Sequence, residues 1–131
     1  MPYVIGITLS VGVGLFARRT GLDRDRAFYP TVLIVVASYY VLFAAMAQSA
    51  PAVLAESVVM GAFALTAVAG FTSGGWIVAL ALAGHGAFDA VHGFVIANPG
   101  VPAWWPPFCF AYDVGAAAWL AWRHRAALAG A

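Results

Sequence analysis

Apolar residues fill five segments of this chain, and short polar or turn-forming stretches separate them. The segments cover residues 3–17, 28–47, 53–71, 76–97 and 107–122. A hydrocarbon core of roughly 30 Å is crossed by about 20 helical residues, with 17 near the lower limit. Each segment is therefore predicted to be a transmembrane helix. The first is the shortest, and Arg18 and Arg19 directly after it can reach the headgroups and extend its usable length.

The composition agrees with this pattern. Of the 131 residues, 64% are hydrophobic and 8% are charged, whereas about a quarter of the residues of a soluble domain are charged. We therefore predict an all-α, polytopic membrane protein in which residues 1–131 form a single domain, a bundle of five transmembrane helices. The net charge of +1 gives no indication of nucleic-acid binding. The single cysteine, Cys109, excludes an internal disulfide.

The arginines indicate an orientation. Four of them follow the first segment and two follow the last: Arg18, Arg19, Arg24, Arg26, Arg123 and Arg125. Five spans place both groups on one side, which the positive-inside rule assigns to the cytoplasm. The N-terminus is then outside and the C-terminus cytoplasmic, as in a multi-pass cell membrane protein (the inner membrane, for a bacterial source). Because positive charges follow the first segment, we expect a permanent helix, not a cleaved signal peptide.

Ionisable residues interrupt three of the apolar segments. At about 100° per residue, His85, Asp89 and His92 fall within an arc of roughly 60° on the fourth helix. Glu56 in the third helix and Asp113 in the fifth are expected at a similar depth, in the outer half of the membrane. A charge at the bilayer centre costs about 2.5–3.5 kcal/mol. We therefore predict that these side chains meet in a shared interior pocket.

Two chemistries suit this set of side chains. In the first, Glu56, Asp89, His92 and Asp113 hold a divalent metal such as zinc, iron or manganese, and the spacing of Asp89 and His92 matches that of helix-bundle di-iron sites. His85 would then support the ligands without binding the ion itself, since it lies about 10 Å from His92 along the helix axis. In the second, His85, Asp89 and His92 are catalytic residues for acid/base chemistry. The polar groups could instead only hold the helices together.

Aromatic residues surround this predicted pocket. The loop NPGVPAWWPPF begins with a turn signal at Asn98-Pro99-Gly100, and its two tryptophans suit either a lid or an anchor in the headgroup region. The residues expected to line the pocket are Tyr39, Tyr40, Trp104, Trp105, Cys109 and Tyr112.

The leading functional hypothesis is a small membrane-embedded enzyme that acts on a lipid-like or isoprenoid substrate. The alternatives are proton-coupled or metal-ion transport by a homo-oligomer, and an accessory membrane subunit. The helices carry no ionisable side chain between the pocket and the cytoplasmic side. A continuous ion path needs polar groups along its length, so this pattern favours a pocket that opens on one side.

Overall fold

The computed structural model describes all of residues 1–131 and is entirely helical. Its five α-helices are α1 (Pro2–Thr20), α2 (Phe28–Met46), α3 (Ala50–Ser73), α4 (Gly75–Val95) and α5 (Trp105–Ala129), with a 3-10 turn at Leu22–Arg24 between α1 and α2. The prediction of an all-α fold with five helices is confirmed.

The helix ends follow local chemistry. Proline occupies the first turn of α1, α3 and α5, where its missing N–H would be unpaired in any case. The Ser49 hydroxyl accepts a hydrogen bond from Ala52 N, so α3 begins at Ala50 and not at 53. At the other end, α1 stops at Gly21, which has a φ of +81°. The last helix continues to Ala129, beyond the predicted 122, through the good helix formers of RHRAALA.

Three helices, α2, α3 and α4, are long and apolar enough to cross a membrane. Large apolar side chains on α3 are exposed, among them Leu54 at 70% and Leu65 at 74%. Such exposure is unfavourable in water but not among lipid tails, which are as apolar as leucine itself. These features indicate a membrane protein. That α1 and α5 also cross the membrane remains a prediction.

The helices pack in an order that differs from their order in the chain. Helix α5 lies between α1 and α4, while α3 packs against both α4 and α2. Small residues bring α1 and α5 close together: a Cβ atom on Gly6 would overlap the Phe108 carbonyl, and one on Gly115 would overlap the Ser10 hydroxyl. This order places α4, which carries most of the ionisable groups, against both α3 and α5.

Helices α1 and α2 leave a groove between them, and α5 forms its floor. The groove has a volume of about 560 Å³ and a mostly apolar lining. Leu9 and Val13 contribute from α1, and Val32 and Val36 from α2. At one end of the groove, the Tyr39 ring packs on Trp105, with centroids 4.7 Å apart.

Candidate metal and acid/base site

Four ionisable side chains meet between α4 and α5. His85 and Asp89 lie one turn apart on α4, and Cys109 and Asp113 lie one turn apart on α5, so each pair points to one side of its helix. His85 Nδ1 is 2.5 Å from Asp113 Oδ2 and 3.5 Å from Asp89 Oδ2. The Cys109 thiol donates to Asp113 Oδ2 at 3.8 Å. We call these four residues the His85 cluster.

The His85 cluster has the composition and spacing of a metal site. One ligand atom from each residue lies within 4.8 Å of the other three, and all four residues are buried. Imidazole nitrogen, thiolate sulfur and carboxylate oxygen are the usual donors to zinc and related ions. The cluster could therefore hold a metal ion. Without one, the imidazole between two carboxylates has the geometry of an acid/base group.

A second polar pair lies between α4 and α3. His92 Nε2 is 2.6 Å from Glu56 Oε1 of α3, and both residues are at least 97% buried. Asn98, in the loop after α4, donates its side-chain amide to Glu56 Oε1 at 2.9 Å and to the Tyr40 carbonyl at 3.0 Å. The Asn98 amide therefore connects that loop to both α3 and α2. Sequence reasoning treated Asn98 only as a turn residue, since no pattern marks an amide that reaches back into a bundle.

Tyr40 of α2 joins the two polar groups. Its hydroxyl donates to Asp89 Oδ1 at 2.6 Å, and its ring stacks on the His92 imidazole with centroids 4.0 Å apart. Tyr40 is 1% exposed. The ionisable side chains of three helices and this phenol thus form one continuous buried region around α4.

Several atoms in this region have no hydrogen-bond partner. They are Glu56 Oε2, His85 Nε2, Asp89 Oδ2 and Asp113 Oδ1. A buried polar atom left unpaired costs about 1–3 kcal/mol, so such atoms usually bind water or an ion. The region also contains three carboxyl groups but only two imidazoles. A cation would therefore balance its charge as well as satisfy its free oxygens.

The structure places the four metal ligands predicted from the sequence in two separate groups. Asp89 and Asp113 belong to the His85 cluster, whereas Glu56 and His92 pair with each other and stand outside it. His85 was expected to stand behind the ligands, but its ring lies between the two aspartates. The reason is the relative position of the helices: α5 brings Asp113 level with His85, and α3 brings Glu56 level with His92.

The residues predicted to line a pocket also separate. Tyr39, Trp105, Cys109 and Tyr112 line the apolar groove between α1 and α2. Tyr40 instead lies in the polar region. Trp104 is 54% exposed and packs against Trp105, with ring centroids 5.7 Å apart. Cys109 was expected only as a lining residue, but it belongs both to the groove and to the His85 cluster. Cys109 thus lies where the apolar groove adjoins the ionisable side chains of the His85 cluster.

Comparison with known protein families, curated proteins and solved structures finds no match for this chain.

Proposed function

We propose that this protein is a small membrane-embedded enzyme in which the His85 cluster binds a zinc ion and acts on a lipid-like molecule. One observation carries the proposal: the cluster brings nitrogen, sulfur and oxygen donors from two helices within 4.8 Å of one another in a buried position. Buried charges are costly unless they are paired or coordinate a metal.

The donor set favours zinc over magnesium or calcium. Magnesium and calcium prefer shells made only of oxygen, whereas His85 and Cys109 offer nitrogen and sulfur. Zinc commonly binds Cys, His and carboxylate ligands in a tetrahedral arrangement. A bound zinc would supply Lewis-acid chemistry, polarising a carbonyl or activating a water. Asp89 and Asp113 would help hold the ion, and the nearby Tyr40 hydroxyl would keep the Asp89 carboxylate in position.

The apolar groove supports a lipid-like substrate. Its volume of about 560 Å³ lies within the range of small-molecule sites, and its lining suits a hydrocarbon chain. Cys109 forms part of the groove wall and contacts Asp113 of the cluster. A hydrocarbon chain bound in the groove would therefore place the carbons nearest Cys109 beside the His85 cluster.

We also propose that all five helices cross the cell membrane. The N-terminus is then outside and the C-terminus is in the cytoplasm, as the arginines indicate. Helices α1 and α5 have 19 and 25 residues, which is long enough for a bilayer core. Arg123 near the end of α5 pairs with Asp23 of the turn after α1. This contact supports placing both arginine groups on the same, cytoplasmic side of the membrane.

The packing favours an enzyme over ion transport through a single subunit. Between the His85 cluster and the arginine end, the interior is filled by apolar side chains such as Val78, Leu82, Ala117 and Leu120. A conducted ion or proton needs polar groups along its route. The cluster therefore suits chemistry performed in place.

Metal analysis tests the proposal directly. Protein purified from membranes without added metal is expected to contain about one zinc per chain, as a structural or catalytic site of this donor set would. The zinc should be lost in Asp113→Asn and in the milder Cys109→Ser variant, and kept in Glu56→Gln, which lies outside the cluster. Absence of zinc and of any other transition metal from the wild-type protein would overturn the metal centre.

A lipid comparison tests the enzymatic part. Lipid extracts of cells producing the wild-type protein or Asp113→Asn are compared by mass spectrometry, at equal protein levels. A lipid species consumed or formed only with the wild-type protein is the expected result. Identical lipid profiles, together with intact zinc binding by the wild type, would contradict an enzymatic role and leave a structural metal site.

A further inference from the structure

A second, smaller cleft has one residue of the His85 cluster, Asp89, in its lining. It has a volume of about 210 Å³ and lies between the beginning of α1, the last turns of α4 and the beginning of α5. Its lining residues are Tyr3, Asp89, Ala90, Pro106, Pro107 and Phe110. None of them lines the apolar groove. The cleft is thus a separate opening, at the end of the bundle opposite Arg123 and Asp23.

Asp89 connects this cleft to the cluster. Asp89 is one of the residues that line the cleft, and its buried carboxylate lies 3.5 Å from His85 Nδ1. Oδ1 accepts the Tyr40 hydroxyl, while Oδ2 is buried and has no hydrogen-bond partner. A cation or water in the cleft would therefore lie beside the residue whose buried carboxylate belongs to the proposed metal site.

The cleft suits cations and water rather than anions. Asp89 is the one ionisable carboxylate among its lining residues, and no basic side chain lines it. Pro106 and Pro107 occupy the first turn of α5, where free N–H groups would otherwise attract anions. One water takes about 30 Å³ of liquid volume. The cleft therefore has room for about seven waters, similar to a divalent ion with its first hydration shell.

We infer that this cleft is the entrance by which water and hydrated divalent cations reach the His85 cluster, while the lipid-like molecule reaches it from the apolar groove. The inference rests on the proposed function, because it concerns the supply of metal and water to that same site. A metal site needs an entry path, and the apolar groove would oppose a hydrated ion, whose desolvation is costly. Two openings of opposite polarity would thus bring two kinds of reactant to one cluster.

Thiol labelling tests whether the cleft contains water. Ala90→Cys is made in a Cys109→Ser background and treated, in membrane vesicles, with a membrane-impermeant, positively charged thiol reagent. Only a hydrated thiolate reacts well. The matched control is Val91→Cys, the next residue of α4, which is exposed on the surface of the bundle but does not line the cleft. The thiol of Ala90→Cys is expected to react roughly tenfold faster than that of Val91→Cys; equal, slow reaction of both variants would overturn the inference.

The charge of the reagent tests the preference for cations. A cationic reagent should modify the Ala90→Cys variant faster than an anionic reagent of the same size, because the Asp89 carboxylate attracts positive charge. Adding Asp89→Asn should remove most of that difference. An unchanged ratio of the two rates in the Asp89→Asn background would show that the Asp89 charge does not attract ions into the cleft and would overturn the inference.

Metal uptake tests the function of the cleft. Ala90→Trp is expected to slow zinc uptake by the metal-free protein by roughly tenfold while the final zinc content stays the same, because entry to the cleft is narrowed and the ligands are kept. Val91→Trp serves as the control and should load at the wild-type rate. Wild-type loading by Ala90→Trp would contradict the entry route. If the wild type binds no zinc, the proposed function fails, and the labelling rates still decide whether the cleft admits water and cations.

Discussion

The Tyr40 ring lies flat against the His92 imidazole, with centroids 4.0 Å apart and 11° between the ring planes, and its hydroxyl donates to Asp89 Oδ1 at 2.6 Å. One side chain of α2 thus contacts both polar groups of α4. Because its ring and its hydroxyl contact different partners, their contributions to the free energy of unfolding can be separated by substitution.

Tyr40→Phe should keep the stacking on His92 and lose the hydrogen bond to Asp89. We expect the free energy of unfolding to fall by about 1–3 kcal/mol, since a buried carboxylate oxygen loses its donor. The measurement is an unfolding titration in mixed detergent micelles. Tyr39→Phe is the control, because the Tyr39 side chain packs on Trp105 and its hydroxyl has no hydrogen bond within the protein. An equal loss in both variants would argue against the Asp89 contact.

We expect the Glu56 and His92 side chains to be strongly coupled in their effects on the free energy of unfolding. Either Glu56→Leu or His92→Leu alone leaves one buried polar group without its main partner, and such losses cost about 3–5 kcal/mol. The double variant removes both groups and is expected to be less destabilised than the sum of the single variants. Unfolding of all four proteins in one detergent system gives the coupling energy. A coupling energy near zero would mean that the two side chains do not interact in the folded protein.

Gly100 holds the loop after α4 close to the end of α2. A Cβ atom at this position would overlap the Phe43 carbonyl, and backbone cannot move aside as a flexible side chain can. Gly100→Ala is therefore expected to destabilise the protein by about 1–3 kcal/mol. Gly84→Ala is the control: it lies within α4 with no atom near its added methyl group, so it should stabilise the helix by up to about 1 kcal/mol. Similar unfolding curves for both variants would exclude close packing of the loop.

The contact between Asp23 and Arg123 should stabilise the arginine end of the bundle. The Asp23 side chain is 2% exposed although it lies in the turn after α1. Asp23→Asn keeps the shape but loses the charge-assisted part of the hydrogen bond, which predicts a loss of about 1 kcal/mol. Asp25→Asn is the matched control, since Asp25 is exposed and its contact with Ala27 N needs only an oxygen acceptor. Protection of α5 amides from hydrogen exchange measures the effect, and equal protection in both variants would contradict it.

The positions of the helices could be predicted from the sequence because lipid selects for length and apolar character. Runs of about 20 apolar residues have few alternatives to a helix where water cannot satisfy the backbone. The predicted ends agree with the structure within a few residues, except at α5, where good helix formers extend the helix beyond its apolar part. The ionisable residues of α4 could be placed on one face from their spacing alone.

The partners of those ionisable residues were decided only by the tertiary structure. In a membrane the interior and the surroundings of a bundle are both apolar, so hydrophobic periodicity does not show how a helix is rotated or shifted against its neighbours. The close approach of α1 to α5 and the fit of α5 on α4 place Asp113 and Cys109 beside His85, while α3 gives Glu56 to His92. The sequence by itself determined which groups had to be buried. Side-chain packing between the helices decided which of them meet.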